Sequence, residues 1–150
     1  MGRADATAPG IFRICAMIRW NWKELISLTP EKLISYCLAK PGAYLDHPFG
    51  PESDIIKVEK RIFAQFFGLK GVDCLTLNCD MMTGQFYRGM FPGVVVRGYH
   101  CPPVQQPYFN TLPLNGAVPE ETILEMIDHS YRTVVGKLPK YKQHALLAGE

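Results

Sequence analysis

The chain has 150 residues, of which 47% are hydrophobic and 20% charged, with a formal net charge of +2. This length and composition suit one globular domain that needs neither disulfides nor metal to fold, and they exclude a disordered polyelectrolyte. Residues 1–26 carry four of the 16 basic and two of the 14 acidic side chains, so residues 27–150 carry 12 of each. A balanced body excludes strong nonspecific nucleic-acid binding over its whole surface, because such binding needs many phosphate contacts.

The cysteines and the hydropathy pattern bear on the cellular compartment. The five cysteines form an odd set without a CxxC pair, which favours reduced thiols in a cytoplasm. No apolar run approaches the roughly 20 residues of a membrane span. We therefore predict a soluble cytoplasmic protein that does not engage a membrane.

Residues 1–26 are predicted to be an N-terminal extension to a single domain over residues 27–150. Within the extension, residues 11–26 are predicted to form a short amphipathic helix, because their apolar side chains fall at helical spacing: Ile11, Ile14, Cys15, Ile18 and Trp22. Such a helix could lie on a membrane surface or bind a partner. The favoured alternative is an extension that packs on the domain or was appended by an early start codon.

The first helix of the domain has a clear start and stop. Thr29 suits the N-cap, Pro30 the first helical position, and Pro41-Gly42 ends the helix. The stretch that follows, "PGAYLDHPFGPES", reads as a turn in which Asp46 binds backbone amides and Phe49 fills the core. A catalytic Asp46-His47 dyad is disfavoured, since adjacent side chains on an extended chain point in opposite directions.

The middle of the chain is rich in β-forming residues. Residues 55–58 and 62–67 are predicted to pair as a hairpin around Glu59-Lys60-Arg61. Residues 68–73 are predicted to be a loop, and "CLTLN" over 74–78 a strand with Leu75 and Leu77 on one face.

The second half returns to helices at two places. Asp80 is predicted to cap a helix that ends before Pro92, and strands are predicted over 94–99 and 108–114 around a proline-rich loop at 101–107. Pro119 opens the last helix, which ends at Lys137 and Pro139. Its predicted buried stripe comprises Ile123, Ile127, Tyr131, Val134, Val135 and Leu138. This order of elements predicts an α+β fold in two layers, an antiparallel sheet with helices packed mainly on one face.

Five ordered blocks resemble the MmcQ/YjbR family. They are "LTPEKLISYCLAKPGAYLDHPFGPES", "IIKVEKRIFAQF", "LTLNCD", "FPGVVVRGYH" and "FNTLPLNGAVPEETILEMIDHSYRTVVGKLPK", together spanning about residues 29–143. Three features depart from the family pattern: Glu59-Lys60 stands where glycines are common, Phe109 stands where Trp is frequent, and residues 101–107 form an unusually proline-rich loop.

The resemblance implies a compact antiparallel α/β domain similar to secretion-chaperone-like folds. It also implies DNA binding without enzymatic activity or cofactor. Fold-level likeness alone does not fix function, so each candidate site needs its own physical argument.

Metal binding is disfavoured by spacing. Cys74 and Cys79, His100-Cys101 and Asp128-His129 all lack the two-residue separation of zinc ligands. We therefore expect buried free thiols and no metal. His129 falls off the stripe of the last helix and is expected to be exposed or to lie at its border.

The basic residues carry the functional hypothesis. A positive patch forms if the hairpin and the C-terminal region share a surface, and phosphates are its expected ligands. The candidate nucleic-acid-binding residues are Lys57, Lys60, Arg61, Arg97, Arg132, Lys137, Lys140 and Lys142. The prediction is a non-enzymatic, monomeric protein that binds duplex DNA weakly and in a salt-sensitive manner.

A second hypothesis is a module that binds a protein or small ligand through aromatic residues on a sheet face. The candidate aromatics are Phe63, Phe67, Tyr99, Tyr108 and Phe109. Core packing is the alternative role for these rings.

Overall fold

The structure is a computed structural model that describes residues 29–98 and 101–148. The predicted N-terminal extension, with its helix over 11–26, lies outside these residues, as do Tyr99 and His100. Within the described ranges the elements are α1 (Pro30–Leu38), β1 (Ala43–Asp46), β2 (Asp54–Val58), β3 (Arg61–Leu69), β4 (Val72–Asn78), α2 (Met81–Met90), β5 (Val96–Arg97), a 3-10 turn (Gln106–Tyr108), β6 (Phe109–Pro113), α3 (Glu120–Val135) and α4 (Lys140–Ala148).

The six strands of the described chain form one sheet in the order β1-β2-β3-β4-β6-β5, and every neighbouring pair is antiparallel. Helix α3 packs on the central strands β3 and β4, and helix α1 packs on β1 and β2; their apolar stripes meet one face of the sheet in a single core. The predicted α+β class, an antiparallel sheet with helices mainly on one face, is confirmed.

Strand register divides the sheet into two faces. Ala64 lies opposite Leu77 and Phe66 opposite Leu75, and these four side chains belong to the core beneath the helices. Gln65 lies opposite Thr76, so both point to the other side. We call that side the helix-free face, because α1 to α4 all contact the opposite one.

Local signals placed the helix starts correctly. The Thr29 hydroxyl accepts a hydrogen bond from the Lys32 amide, and Asp80 Oδ1 accepts from the Thr83 amide at 2.8 Å. Both residues have extended backbone angles, as N-caps require. The amide of Thr83 also lowers the pKa of Asp80. The predicted stripe of α3 is buried throughout.

The hairpin between β2 and β3 is confirmed, and its turn is tighter than expected. Glu59 and Lys60 have φ angles of 50° and 67°, the left-handed values of a two-residue turn that usually holds Asn-Gly. A bulge follows at Phe63, because Lys57 pairs with Ile62 whereas Ile56 pairs with Ala64.

Several predicted boundaries were wrong. The expected loop over 68–73 is a turn at Lys70-Gly71 between longer strands, since Gly71 supplies a positive φ of 80°. The expected strand over 94–99 is described as strand at Val96–Arg97 alone.

The turn expected over 41–53 contains strand β1, which pairs with β2, and helix α4 follows Pro139 where no helix was predicted. Phe49 does not fill the core, because 68% of its surface is exposed.

The four cysteines in the described ranges are free thiols. Burial is the main cause that raises the pKa of Cys37 to about 12 and that of Cys79 to about 11, so both stay protonated near neutral pH. No helix in these ranges has the length and apolarity needed to cross a bilayer.

Candidate nucleic-acid interface

Three of the predicted cations meet at one end of the sheet. Lys60 in the β2–β3 turn, Arg61 at the start of β3 and Lys137 just after α3 line a cleft of about 510 Å³. Its other lining residues are polar, aromatic or aliphatic: Ile62, Gln65, Asn78, Gln105, Tyr108, Phe109 and Val134. Among the described carboxylates, none lies within ion-pair distance of these three cations. The cleft is therefore electropositive on a chain with little net charge.

The backbone conformation that positions Lys60 in the turn is energetically unfavourable for a non-glycine residue. A left-handed conformation costs a non-glycine residue roughly 1–2 kcal/mol, and both turn residues adopt it. Backbone strain of this kind persists mainly where the surrounding structure holds it and where a site uses it. Here the strain presents a lysine at the rim of the cleft.

Helix α4 is bound to the β2–β3 turn by an ion pair with Glu59. Lys142 Nζ lies 2.9 Å from Glu59 Oε1, and this partner raises the pKa of Lys142. Gln143 Nε2 donates to the Leu138 carbonyl at 2.7 Å, which holds the segment that carries Lys137. Lys142 does not line the cleft, and its charge is neutralised by Glu59.

A buried hydrogen-bond network lies beneath the cleft and holds Asn78 and Ile62, two of its lining residues. Ser130 Oγ donates to the Phe63 carbonyl at 2.5 Å and accepts from the Asn78 amide at 2.9 Å. Asn78 Nδ2 in turn donates to the Ile62 carbonyl at 2.8 Å. Ser130 is fully buried, so one hydroxyl of α3 joins the bulge of β3 to the end of β4.

Two aromatic rings stand at the rim. Tyr108 is 43% exposed and Phe109 is half-buried. The Tyr108 carbonyl accepts from the Cys79 amide at 2.9 Å, and its own amide donates to the Gln105 carbonyl at 2.9 Å. A fixed backbone therefore carries an exposed ring beside three cations.

The other predicted cations lie apart from the cleft or are neutralised. Lys57 Nζ binds Asp46 Oδ2 at 2.7 Å, and this hydrogen bond lowers the pKa of Asp46 and raises that of Lys57. Arg97 is exposed on edge strand β5, and Arg132 is exposed on α3. Lys140 is exposed at the start of α4 and does not line the cleft.

Asp46 and His47 do not form a dyad, because their side chains do not bind each other. Asp46 Oδ1 accepts from the His47 backbone amide at 2.8 Å, whereas the His47 ring binds Asp54 at 2.8 Å. The two side chains therefore serve separate partners, as the sequence argument predicted. In the part of the chain that the structure describes, no group of three or more potential ligands is arranged to hold a metal ion.

The amide side chains of the cleft were not predicted. Gln65 and Asn78 are polar residues on adjacent strands, and both point to the helix-free face of the sheet. The alternation of apolar and polar residues in "CLTLN" already placed Asn78 on the face opposite Leu75 and Leu77, but it was used only to predict a strand.

The predicted aromatic sheet face is divided between the core and the rim. Phe63 is buried against Tyr131 with ring centroids 5.3 Å apart, so it serves the core. Phe67 is half-buried on the helix-free face, and Tyr108 and Phe109 belong to the cleft.

Comparison with known proteins identifies a family and several relatives of this chain. The YjbR family profile matches residues 38–133. The chain is 26% identical over 120 residues to Escherichia coli K12 YjbR, covering 80% of this chain and 98% of that protein. It is 27% identical over 127 residues to Escherichia coli O157:H7 YbdF, covering 85% and 98% of the two chains.

Solved structures show the same fold. The Deinococcus radiodurans protein DR2400, which has a DUF419 domain, superposes with a TM-score of 0.71 at 28% identity, covering 79% of this chain and 87% of that chain. A Pseudomonas syringae protein reaches 0.55 at 19% identity over 68% and 95% of the two chains and supports the fold alone. With its sheet order, its capped helices and a family match over most of the described residues, this chain belongs to the YjbR family.

Proposed function

We propose that this protein is a non-enzymatic, cytoplasmic DNA-binding protein that acts as a monomer and holds a DNA strand at the basic cleft. The observation that carries the proposal is the convergence of Lys60, Arg61 and Lys137, which have no described carboxylate partner, beside an exposed tyrosine ring. Three free cations can each contact a phosphate, and an aromatic ring offers a stacking surface for a base.

The composition of the cleft favours an unpaired strand over a duplex. Strong duplex binding uses about 6–10 phosphate contacts, and the cleft offers three cations. Tyr108 can stack only on a base whose face is accessible, which a duplex interior does not provide. The side-chain amides of Asn78, Gln65 and Gln105 can bind phosphate, sugar or base edges.

A small anionic ligand is the second candidate, and the concave shape favours it. A cleft of about 510 Å³ with convergent polar groups falls within the roughly 300–1,000 Å³ range of small-molecule sites. A mononucleotide offers the same phosphate and base chemistry as one unit of a strand.

Fluorescence anisotropy with a labelled 12-base single strand separates these functions. We expect a Kd within about 10⁻⁶ to 10⁻⁴ M, with a slope of log K against log salt near −2 for three single-strand contacts. A duplex of the same length should bind more weakly, and a mononucleotide should compete poorly. Equal affinity for the mononucleotide would replace the DNA proposal with the small-ligand function, and no binding of either at low salt would refute both.

A further inference from the structure

Asn78 is a nearly buried amide that lines the basic cleft. Only 9% of its surface is exposed, and the alternation that puts Leu75 and Leu77 in the core turns the Asn78 side chain to the helix-free face. Its Nδ2 donates to the Ile62 carbonyl at 2.8 Å. A carbonyl oxygen can only accept, so this contact determines which end of the amide faces Ile62, and Oδ1 of Asn78 takes the other side.

The Oδ1 acceptor of Asn78 is unoccupied. Among the described residues, no donor lies within hydrogen-bond distance of it, since the two hydrogen bonds of Asn78 to other side chains and carbonyls use its backbone amide and Nδ2. In the part of the chain that the structure describes, Arg88 Nη2 is the side-chain atom that is both fully buried and unpartnered, so Oδ1 of Asn78 keeps access to the cleft. An acceptor that is mostly withdrawn from water and left unpaired favours a ligand that donates to it.

The exposed ring of Tyr108 lies close to this acceptor. Asn78 is the register partner of Phe109, and the amide of the next residue, Cys79, donates to the Tyr108 carbonyl at 2.9 Å. Asn78 and Tyr108 both line the cleft. A base that stacks on the Tyr108 ring therefore lies beside the Asn78 acceptor.

Gln65, the neighbouring amide of the cleft, is held less firmly than Asn78. It lines the cleft from β3, and no described residue hydrogen-bonds its side chain. Such an amide can rotate to present either its NH₂ group or its carbonyl, so it adapts to any base edge. Asn78 cannot rotate in this way without losing its contact with Ile62. The preference for one base over another therefore depends on Asn78.

The four bases differ in what they offer to a fixed acceptor. Adenine and cytosine carry an exocyclic amino group that donates a hydrogen bond, whereas thymine carries the O4 carbonyl at the corresponding position. Thymine would bring two acceptors together and leave Asn78 unpaired. A site built to hydrogen-bond one group of its ligand rejects an analogue that lacks this group.

We propose that Asn78 determines the base specificity of the cleft by accepting a hydrogen bond from the exocyclic amino group of an unpaired adenine or cytosine that stacks on Tyr108. This inference rests on the proposed function, because it assigns a base preference to the same cleft. The three cations hold the phosphates of any strand, and the Asn78 acceptor selects the base.

Anisotropy titrations of the unmodified protein with four labelled 12-base strands test the preference. The strands are oligodeoxyadenylate, oligodeoxycytidylate, oligothymidylate and an oligomer of purine deoxynucleosides, which keeps the two-ring stacking surface of adenine without its amino group. We expect the first two to bind about fivefold more tightly than oligothymidylate, the size of one neutral hydrogen bond, and the purine strand to lose the same factor relative to oligodeoxyadenylate. Equal affinities of the four strands would overturn the base preference while strand binding stands. No binding of any strand at low salt would refute the proposed function itself.

Two matched substitutions distinguish a specificity-determining residue from a structural one. Asn78→Ala should bind oligodeoxyadenylate and oligothymidylate with equal affinity, because the acceptor is gone. Gln65→Ala is the control, and it should weaken binding of both strands by a common factor and keep their affinity ratio near five. A ratio preserved in Asn78→Ala would contradict the proposal, since loss of a merely structural amide lowers both affinities together. Far-ultraviolet circular dichroism confirms that each variant is folded.

Discussion

Replacing Arg61 and Lys137 together by glutamine is expected to weaken single-strand binding on the order of 50-fold near 50 mM salt. Each phosphate contact contributes about −0.7 to the slope of log K against log salt. Loss of two contacts therefore changes the slope from about −2 to about −0.7, and the affinities of the two proteins converge near 1 M salt. Salt-dependent anisotropy titrations measure both quantities.

The chain offers a control that removes the same types of charge. Lys70 lies in the β3–β4 turn and Arg97 on edge strand β5, and both are exposed. The Lys70→Gln, Arg97→Gln protein has the same net charge as the cleft variant. If this control lost as much affinity and slope, binding would depend on total charge and the cleft would have no special role.

The largest expected loss of stability follows from Ser130→Ala. The hydroxyl satisfies two buried backbone groups, the Phe63 carbonyl and the Asn78 amide. Leaving both without a partner is expected to lower the free energy of unfolding by about 2–4 kcal/mol. Urea denaturation measures this change, and single-strand binding should weaken as well because Asn78 loses its anchor at the cleft.

Thr133→Ala on the same helix is the matched control. Thr133 Oγ1 donates to the His129 carbonyl at 2.7 Å, so its removal orphans no buried amide. This substitution should lower the free energy of unfolding by less than about 1 kcal/mol. Comparable stabilities of the two variants would show that the serine network does not hold α3 to the sheet.

Features of the fold that depend on neighbouring residues were predictable from sequence. Thr29 and Asp80 cap helices through amides within three residues, and the β2–β3 hairpin depends on two adjacent β-rich runs. Strand β1 was missed because its pairing with β2 crosses a stretch of prolines and glycines that reads locally as a turn. Helix α4 was missed because none of its residues is fully buried, so it lacks the stripe that identifies α3.

The candidate site was predictable in its residue types and not in its geometry. Lys60 and Arg61 were identified from the hairpin, and their meeting with Lys137 depends on contacts between distant segments. The pairing of Lys57 with Asp46 and of Lys142 with Glu59 is equally invisible to local patterns. Sequence therefore overestimated the number of available cations and overlooked the side-chain amides that line the cleft.

Titration of the ¹⁵N-labelled protein with a short unlabelled single strand, followed by amide chemical shifts, tests the central claim most directly. We predict that the shifts concentrate at Lys60, Arg61, Asn78, Tyr108 and Lys137, around the cleft. Shifts concentrated at Arg97 and the β5 edge, or an unchanged spectrum at saturating strand, would contradict the assignment of this cleft as the DNA-binding site.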